Sequence, residues 1–156
     1  MRFAVAVSGG VDSLCALLLL HRAGHDVMAL HGIFLPRAES VTPSPLPGLE
    51  RACKSLGIPL HVLDLRERFQ REVISPFAQA YAAGRTPNPC ALCNRAIKFG
   101  ALLEAALRLG ADRLVTGHYA HLSADGSLAA AEDQNKDQSY FLSLVPAAAL
   151  ARAHFP

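Results

Sequence analysis

Apolar positions along the chain fall into short unbroken runs separated by turns rich in glycine and proline. Phe3 to Val7 is one such run, as a strand buried on both faces requires, and Leu14 to Leu20 is a longer one. Between them lies Ser8-Gly9-Gly10-Val11-Asp12-Ser13, which predicts a strand end followed by a helix that begins at Asp12 or Ser13. A second strand is expected over His25 to Phe34, after Gly24 as a helix stop. Strand, helix and strand in this order imply a parallel sheet. Leu49 to Leu56 reads as a helix stopped by Gly57, Pro59 to Leu65 as a third strand, and about Glu67 to Ala83 as a helix that Pro76 bends or splits. A further helix is expected from Ala91 or Leu92 through Leu109 to Gly110. Toward the end come a strand at Val115, a hairpin-like turn over Ser123 to Ser127 and a short apolar helix from Ser139 to Val145. Leu35 to Gly48 carries four prolines and reads as a mobile loop.

Composition agrees with one α/β domain. The chain has 156 residues, of which 51% are hydrophobic and 18% charged, enough for a sizeable core. The apolar run Leu14 to Leu20 is too short to cross a bilayer, so no membrane partner is expected and the location is read as cytoplasmic. Four cysteines at 15, 53, 90 and 93 do not make a disulfide framework, and Cys15 and Cys53 are expected to be small buried hydrophobes in helices. A net charge of +2 does not by itself point to nucleic acid.

The candidate chemistry lies in the turns. Adjacent glycines at 9 and 10 allow a sharp turn, and the helix start behind them offers unpaired N–H groups and a positive dipole end, together a site for an anion such as phosphate. Ser8 and Ser13 add hydroxyls, and Asp12 can hold a divalent cation that neutralises a polyphosphate. The spacing excludes both the G-x-x-x-x-G-K-[ST] loop and the G-x-G-x-x-G fingerprint. Ligands of parallel sheets sit at the carboxyl ends of strands, which puts Gly32 and Phe34 beside this turn, and likewise Gly117 and His118. Cys90-Ala91-Leu92-Cys93 has three readings: a redox dithiol, half of a metal or iron–sulfur site, or a nucleophile with an incidental neighbour. Cys93 in the first turn of a helix, with Arg95 and Lys98 after it, is expected to favour the thiolate. Lys136, Asp137 and Gln138 offer a point charge for phosphate and an amide for a base edge.

Ser8-Gly9-Gly10-Val11-Asp12-Ser13 resembles the signature of the PP-loop (N-type) ATP pyrophosphatases, which split ATP between the α and β phosphates and activate a substrate as its adenylate. Three further stretches resemble the bacterial tRNA-specific 2-thiouridylases, the MnmA family, in the same order: Gly84 to Pro89 with Leu92-Cys93-Asn94 and Ile97-Lys98-Phe99; Gly110-Ala111-Asp112 leading into Val115 to Ala120; and Asn135 to Leu142. The resemblance implies a three-layer α/β/α fold of the adenine nucleotide alpha hydrolase, Rossmann-like kind. ATP and Mg²⁺ are then held by Ser8, Gly9, Gly10, Val11, Asp12 and Ser13, with adenine near Gly32 and Phe34 and further contacts from Gly117 and His118.

It implies Cys93 as the first catalytic cysteine, and tRNA and a sulfur donor protein as partners, with Asn94, Lys98, Lys136, Asp137 and Gln138 on the substrate side. The family commonly has Asp where Cys90 stands, so Cys90 is a departure that can supply a partner for a disulfide, or a ligand for an iron–sulfur cluster beside Cys93 in place of a persulfide on Cys93 alone. The family continues into a central region with a second catalytic cysteine and a β-barrel, so a separate or missing domain is expected to supply that thiol. The expected activity is ATP-dependent thiolation of the wobble uridine of tRNA. Its alternatives are a PP-loop enzyme that amidates or thiolates another acceptor, and a nucleotide-binding module without turnover.

Overall fold

A computed structural model of the chain describes residues 1–36 and 44–156. The predicted loop Leu35 to Gly48 therefore lies partly outside the described residues. Five strands, β1 (Arg2–Ala6), β2 (Asp26–Ile33), β3 (Leu60–Asp64), β4 (Arg113–Val115) and β7 (Ala153–His154), form one parallel sheet in the order β3-β2-β1-β4-β7. Two short strands, β5 (His121–Leu122) and β6 (Leu128–Ala129), make a separate antiparallel hairpin around the expected turn. Gly126, at φ 82°, supplies the left-handed residue in that turn.

Alternation along the central strands sorts the core into two layers. Phe3, Val5 and Val7 with Val27 and Ala29 face α1 (Val11–Arg22) and α2 (Leu46–Leu56), through Ala16, Leu17, Leu20, Leu49 and Cys53. Ala4, Met28 and Leu30 face the opposite way, onto Phe99, Leu102, Leu103 and Ala106. Helices thus cover both faces, which is the three-layer α/β/α arrangement, and it explains why these strands read as continuous apolar runs.

Element boundaries moved where capping overrules periodicity. α1 starts at Val11, one or two residues before the expected Asp12 or Ser13, because Gly10 is its N-cap. α2 starts three residues before Leu49, since Pro47 is tolerated in a first turn. α5 (Pro89–Cys93) starts before Ala91 because Asn88 Oδ1 accepts from the Ala91 N–H at 3.2 Å and Pro89 takes the first helical position. It runs on into a π-helical segment, Asn94–Leu102, and α6 (Leu103–Arg108). The expected helix from Glu67 is likewise α3 (Arg66–Phe69), a π-helical segment Gln70–Ile74 and α4 (Ser75–Ala82). The widened turn lies just where the Pro76 ring would meet the Glu72 carbonyl of a regular helix. The expected helix Ser139 to Val145 is a 3₁₀ turn over Ser139–Leu142, with α7 (Ala147–Leu150) following Pro146.

The π-helical segment Asn94–Leu102 changes which side chains share a face. Cys93 and Lys98 are five residues apart, about 140° around an α-helix, and the wider turn brings them toward one face.

Leu17 is 1% exposed on the inner face of α1 and Leu19 is 58% exposed on the outer face. Leu17→Ala is expected to lower the unfolding free energy by about 3 kcal/mol, and Leu19→Ala by less than about 0.5 kcal/mol, in urea titrations followed by circular dichroism.

Candidate active site

β1, β2 and β3 step outward in one direction and β4 returns to the other side of β1, so the sheet switches direction between β1 and β4. The crevice outside the strand ends at such a point is where α/β sheets bind ligands. A cleft of about 580 Å³ lies there, the size of a small-molecule site. Its wall comes from the turn after β1 (Ser8, Gly10, Asp12, Ser13), the end of β2 (His31, Gly32, Phe34), the helical run from α5 (Cys90, Cys93, Asn94, Lys98, Leu102), the loop after β4 (Thr116, Gly117, His118), and Gln138 with Phe141.

The first intrahelical bond of α1 runs from the Leu14 N–H to the Gly10 carbonyl at 3.2 Å, which leaves the N–H groups of Val11, Asp12 and Ser13 ahead of it. The serines shape the turn from within. Ser13 Oγ donates to the Gly10 carbonyl at 2.9 Å and accepts from the Ser8 N–H at 3.2 Å, and the Gly10 N–H donates to Ser8 Oγ at 3.3 Å. The two glycines do different work. Gly9 has φ 92°, and a Cβ on it would sit 2.5 Å from Pro45 Cβ, whereas Gly10 is extended and has room. The turn is tied to β2 twice, by the Val7 N–H to the Leu30 carbonyl at 2.8 Å and by His31 Nδ1 to the Val7 carbonyl at 2.8 Å.

At the end of β2, the Phe34 ring folds back into the space a Cβ on Gly32 would take, and stacks on Phe69 with centroids 5.4 Å apart. Gly117 packs against the first turn of α1 so closely that a Cβ would lie 2.8 Å from the Asp12 carbonyl carbon. Glycine is therefore required here by approach, not by dihedral.

Lys98 Nζ donates to His118 Nε2 at 3.1 Å, so the ring proton is on Nδ1 and donates to Thr116 Oγ1 at 2.7 Å. Burial, then the Lys98 charge, pushes His118 down to about 3, so the ring is neutral. Burial also lowers Lys98, against the opposing pull of Cys93 and Cys90. Asn94 is buried, and its Nδ2 donates to the Phe141 carbonyl at 2.9 Å.

Two expectations are corrected, for Cys93 and Cys15, and four residues expected in the site lie outside the cleft wall. Cys93 does not favour the thiolate: burial raises its pKa, and the lowering by Lys98 is the smaller effect. It lies in the fifth helical position, just past the first turn where the dipole acts, and Arg95 is exposed. Cys15 is exposed, while Cys53 is buried as expected. Lys136 and Asp137 are not in the cleft wall: Lys136 Nζ lies 5.4 Å from the Tyr119 ring centroid, and Asp137 accepts from Ala131 N–H at 2.8 Å and Ser139 Oγ at 2.7 Å. Gly9 and Val11 are also outside the wall, with the Val11 side chain 74% exposed, so any part they take comes through their backbone.

Sequence reasoning missed His31, Thr116 and Tyr119. His31 and Thr116 sit at strand ends inside buried runs, where nothing in one-dimensional pattern separates a polar wall residue from a strand residue. Among the described residues no group of three or more His, Cys, Asp or Glu is placed to hold a metal ion. No described helix is long and apolar enough to cross a membrane.

The chain is similar to known proteins along its whole length. A family model described as the tRNA methyl transferase HUP domain matches residues 1–156. The tRNA-specific 2-thiouridylase MnmA of Oleidesulfovibrio alaskensis is 51% identical over 165 residues, covering 100% of this chain and 46% of that protein. The proteins of the same name from Lawsonia intracellularis and Frankia alni are each 47% identical, again over 100% of this chain and over 45% and 47% of their own lengths. The chain spans about half the length of the curated relatives it matches. With all of its residues matched, and its glycine turn, cysteine pair and switch-point cleft in one place, the chain belongs to the tRNA methyl transferase HUP domain family as an MnmA-like member.

Proposed function

We propose that this chain is the ATP-cleaving, uridine-activating part of a cytoplasmic tRNA 2-thiouridylase. The observation that carries the reading is that one cleft is lined both by the anion-binding turn Ser8 to Ser13 and by the thiols of Cys90 and Cys93. A phosphate site and a sulfur site in the same cavity suit a reaction in which an adenylate is made and then displaced by sulfur.

ATP lies with adenine toward Gly32 and Phe34 and its β and γ phosphates on the N–H groups of the turn and the first turn of α1. The uridine O2 attacks the α phosphorus, the bond to the bridging oxygen of pyrophosphate breaks, and the turn's donors stabilise the charge that gathers on the leaving group. The adenylated oxygen then departs as AMP when sulfur attacks C2. Lys98, fixed by neutral His118, places a positive charge within the cleft for the α phosphate or the incoming sulfur. Asn94 and Gln138 stand on the substrate side of the wall.

Mg²⁺ fits Asp12, a hard carboxylate at the start of α1, as a cation held by one protein oxygen together with phosphate oxygens and water. When bound it supplies neutralisation of the polyphosphate. An iron–sulfur cluster fits the described residues poorly, since Cys90 and Cys93 gain no third ligand among them. In this reading sulfur is carried as a persulfide on Cys93, delivered by a donor protein; its outer sulfur bonds to C2 as AMP leaves, and a second thiol then attacks Cys93 Sγ, breaking the S–S bond, forming a disulfide and leaving the sulfur on the uridine.

Two outcomes follow. Asp12→Ala is expected to lower tRNA-dependent pyrophosphate release at least a hundredfold, whereas Cys93→Ser keeps that release within about threefold and loses sulfur incorporation from a labelled persulfide donor. The acid side of the stability profile reports His118. Its folded pKa of about 3 lies below the unfolded value near 6.5, so the unfolded chain binds the proton first and stability falls as pH drops from 6.5 toward 3. His118→Asn is expected to flatten that slope between pH 6.5 and 4.5 in urea titrations.

A further inference from the structure

Tyr119 follows His118 but is not part of the cleft wall. Its hydroxyl donates to Asp12 Oδ1 at 3.1 Å, across 107 residues of chain. Gln138 fixes its backbone from both sides: the Tyr119 N–H donates to Gln138 Oε1 at 3.2 Å and the Tyr119 carbonyl accepts from the Gln138 N–H at 2.8 Å. Lys136 stands over the ring, with Nζ 5.4 Å from the centroid. The segment that carries these two residues is itself braced, by Asp133 accepting from the Asn135 N–H at 3.0 Å and by Asp137 accepting from Ala131 and Ser139. Lys136 and Gln138, expected from sequence to meet the substrate, thus converge on one tyrosine.

A carboxylate at the second position of a helix has a competing choice. It can turn back and accept from the N–H groups of its own first turn, which are the donors a phosphate needs. A phenol that holds one carboxylate oxygen removes that option and leaves the other oxygen free. We propose that Tyr119 is the positioning residue for Asp12, that it holds the carboxylate in the orientation that takes the nucleotide's divalent cation, and that Lys136 and Gln138 act on cation binding through Tyr119. The cation above the ring face draws electron density from the phenol and strengthens its O–H as a donor. This rests on the reading that Asp12 holds the cation.

The test uses the full chain and separates metal affinity from nucleotide affinity. Mn²⁺ binding is followed by electron paramagnetic resonance in the presence of α,β-methylene ATP, and binding of the same analogue is measured again in EDTA. Tyr119→Phe, which keeps the ring and its packing, is expected to weaken Mn²⁺ about tenfold, the lower end of what loss of an orienting partner costs. Analogue affinity in EDTA stays unchanged. Lys136→Met is expected to weaken Mn²⁺ about threefold, in line with an exposed cation–π contact. Tyr140→Phe, at a residue 68% exposed, is the control and leaves both affinities alone. Mn²⁺ affinity unchanged in Tyr119→Phe but lost in Asp12→Ala overturns the positioning role. Equal weakening in EDTA and in Mn²⁺ also overturns it, because a tyrosine that only supports the fold moves both. Mn²⁺ affinity unchanged in Asp12→Ala overturns the assignment of the cation to Asp12, and the role of Tyr119 with it.

Discussion

The site depends on one close approach. Gly117, in the loop after β4, lies against the backbone of Asp12 and Ser13, where even a methyl group would be within 2.8 to 2.9 Å of main-chain atoms. The absent side chain lets the loop after β4 pack directly on the first turn of α1. Two walls of the cleft hang from these segments: the turn's N–H groups and Asp12 on one side, Thr116 and His118 on the other, with Tyr119 just behind and bonded to Asp12. Parallel pairing of β1 with β4 brings the two loops to the same edge, and the missing side chain at 117 lets them touch.

The third wall is brought in by a different device. The helical run from Pro89 to Arg108 packs its apolar face, Phe99, Leu102 and Leu103 among others, on the sheet. Its π-helical middle turns Lys98 toward the face that carries Cys93, and Asn94 fixes it to the Phe141 carbonyl. Lys98 and His118 then join this wall to the loop after β4. Charge in the cleft is set by this contact. The ring stays neutral because it is buried beside a cation, and the cation keeps an acceptor that carries no charge of its own.

Much of this was legible in the sequence, and the reasons differ from element to element. The three main strands and α1 were plain because runs such as Val27 to Leu30 are buried on both sheet faces and interrupted by glycine. The sharp turn after β1 was legible from Gly9, Gly10 and the helix start, although only the structure shows that Gly9 carries the dihedral and Gly10 does not. β7, two residues long, gives no period to detect. The π-helical segments cannot be seen in a pattern that assumes 3.6 residues per turn. The charge state of Cys93 was misjudged because sequence counts nearby lysines and arginines but does not see burial, and burial is the larger effect here. Lys136 and Asp137 lie outside the cleft wall, and their partners, Tyr119 and the backbone of Ala131 and Ser139, are set by a fold that brings distant loops together.

The central claim is that nucleotide and sulfur chemistry share one cleft, and protection of the thiols tests it most directly. Alkylation by iodoacetamide at pH 8.5 is followed residue by residue with mass spectrometry, with and without ATP and Mg²⁺. Bound nucleotide is expected to slow modification of Cys93 and Cys90 at least fivefold and to leave exposed Cys15, outside the wall, unchanged. Saturating nucleotide that leaves Cys93 and Cys90 reacting as fast as before would contradict the account, because the two chemistries would then occupy different places on the protein.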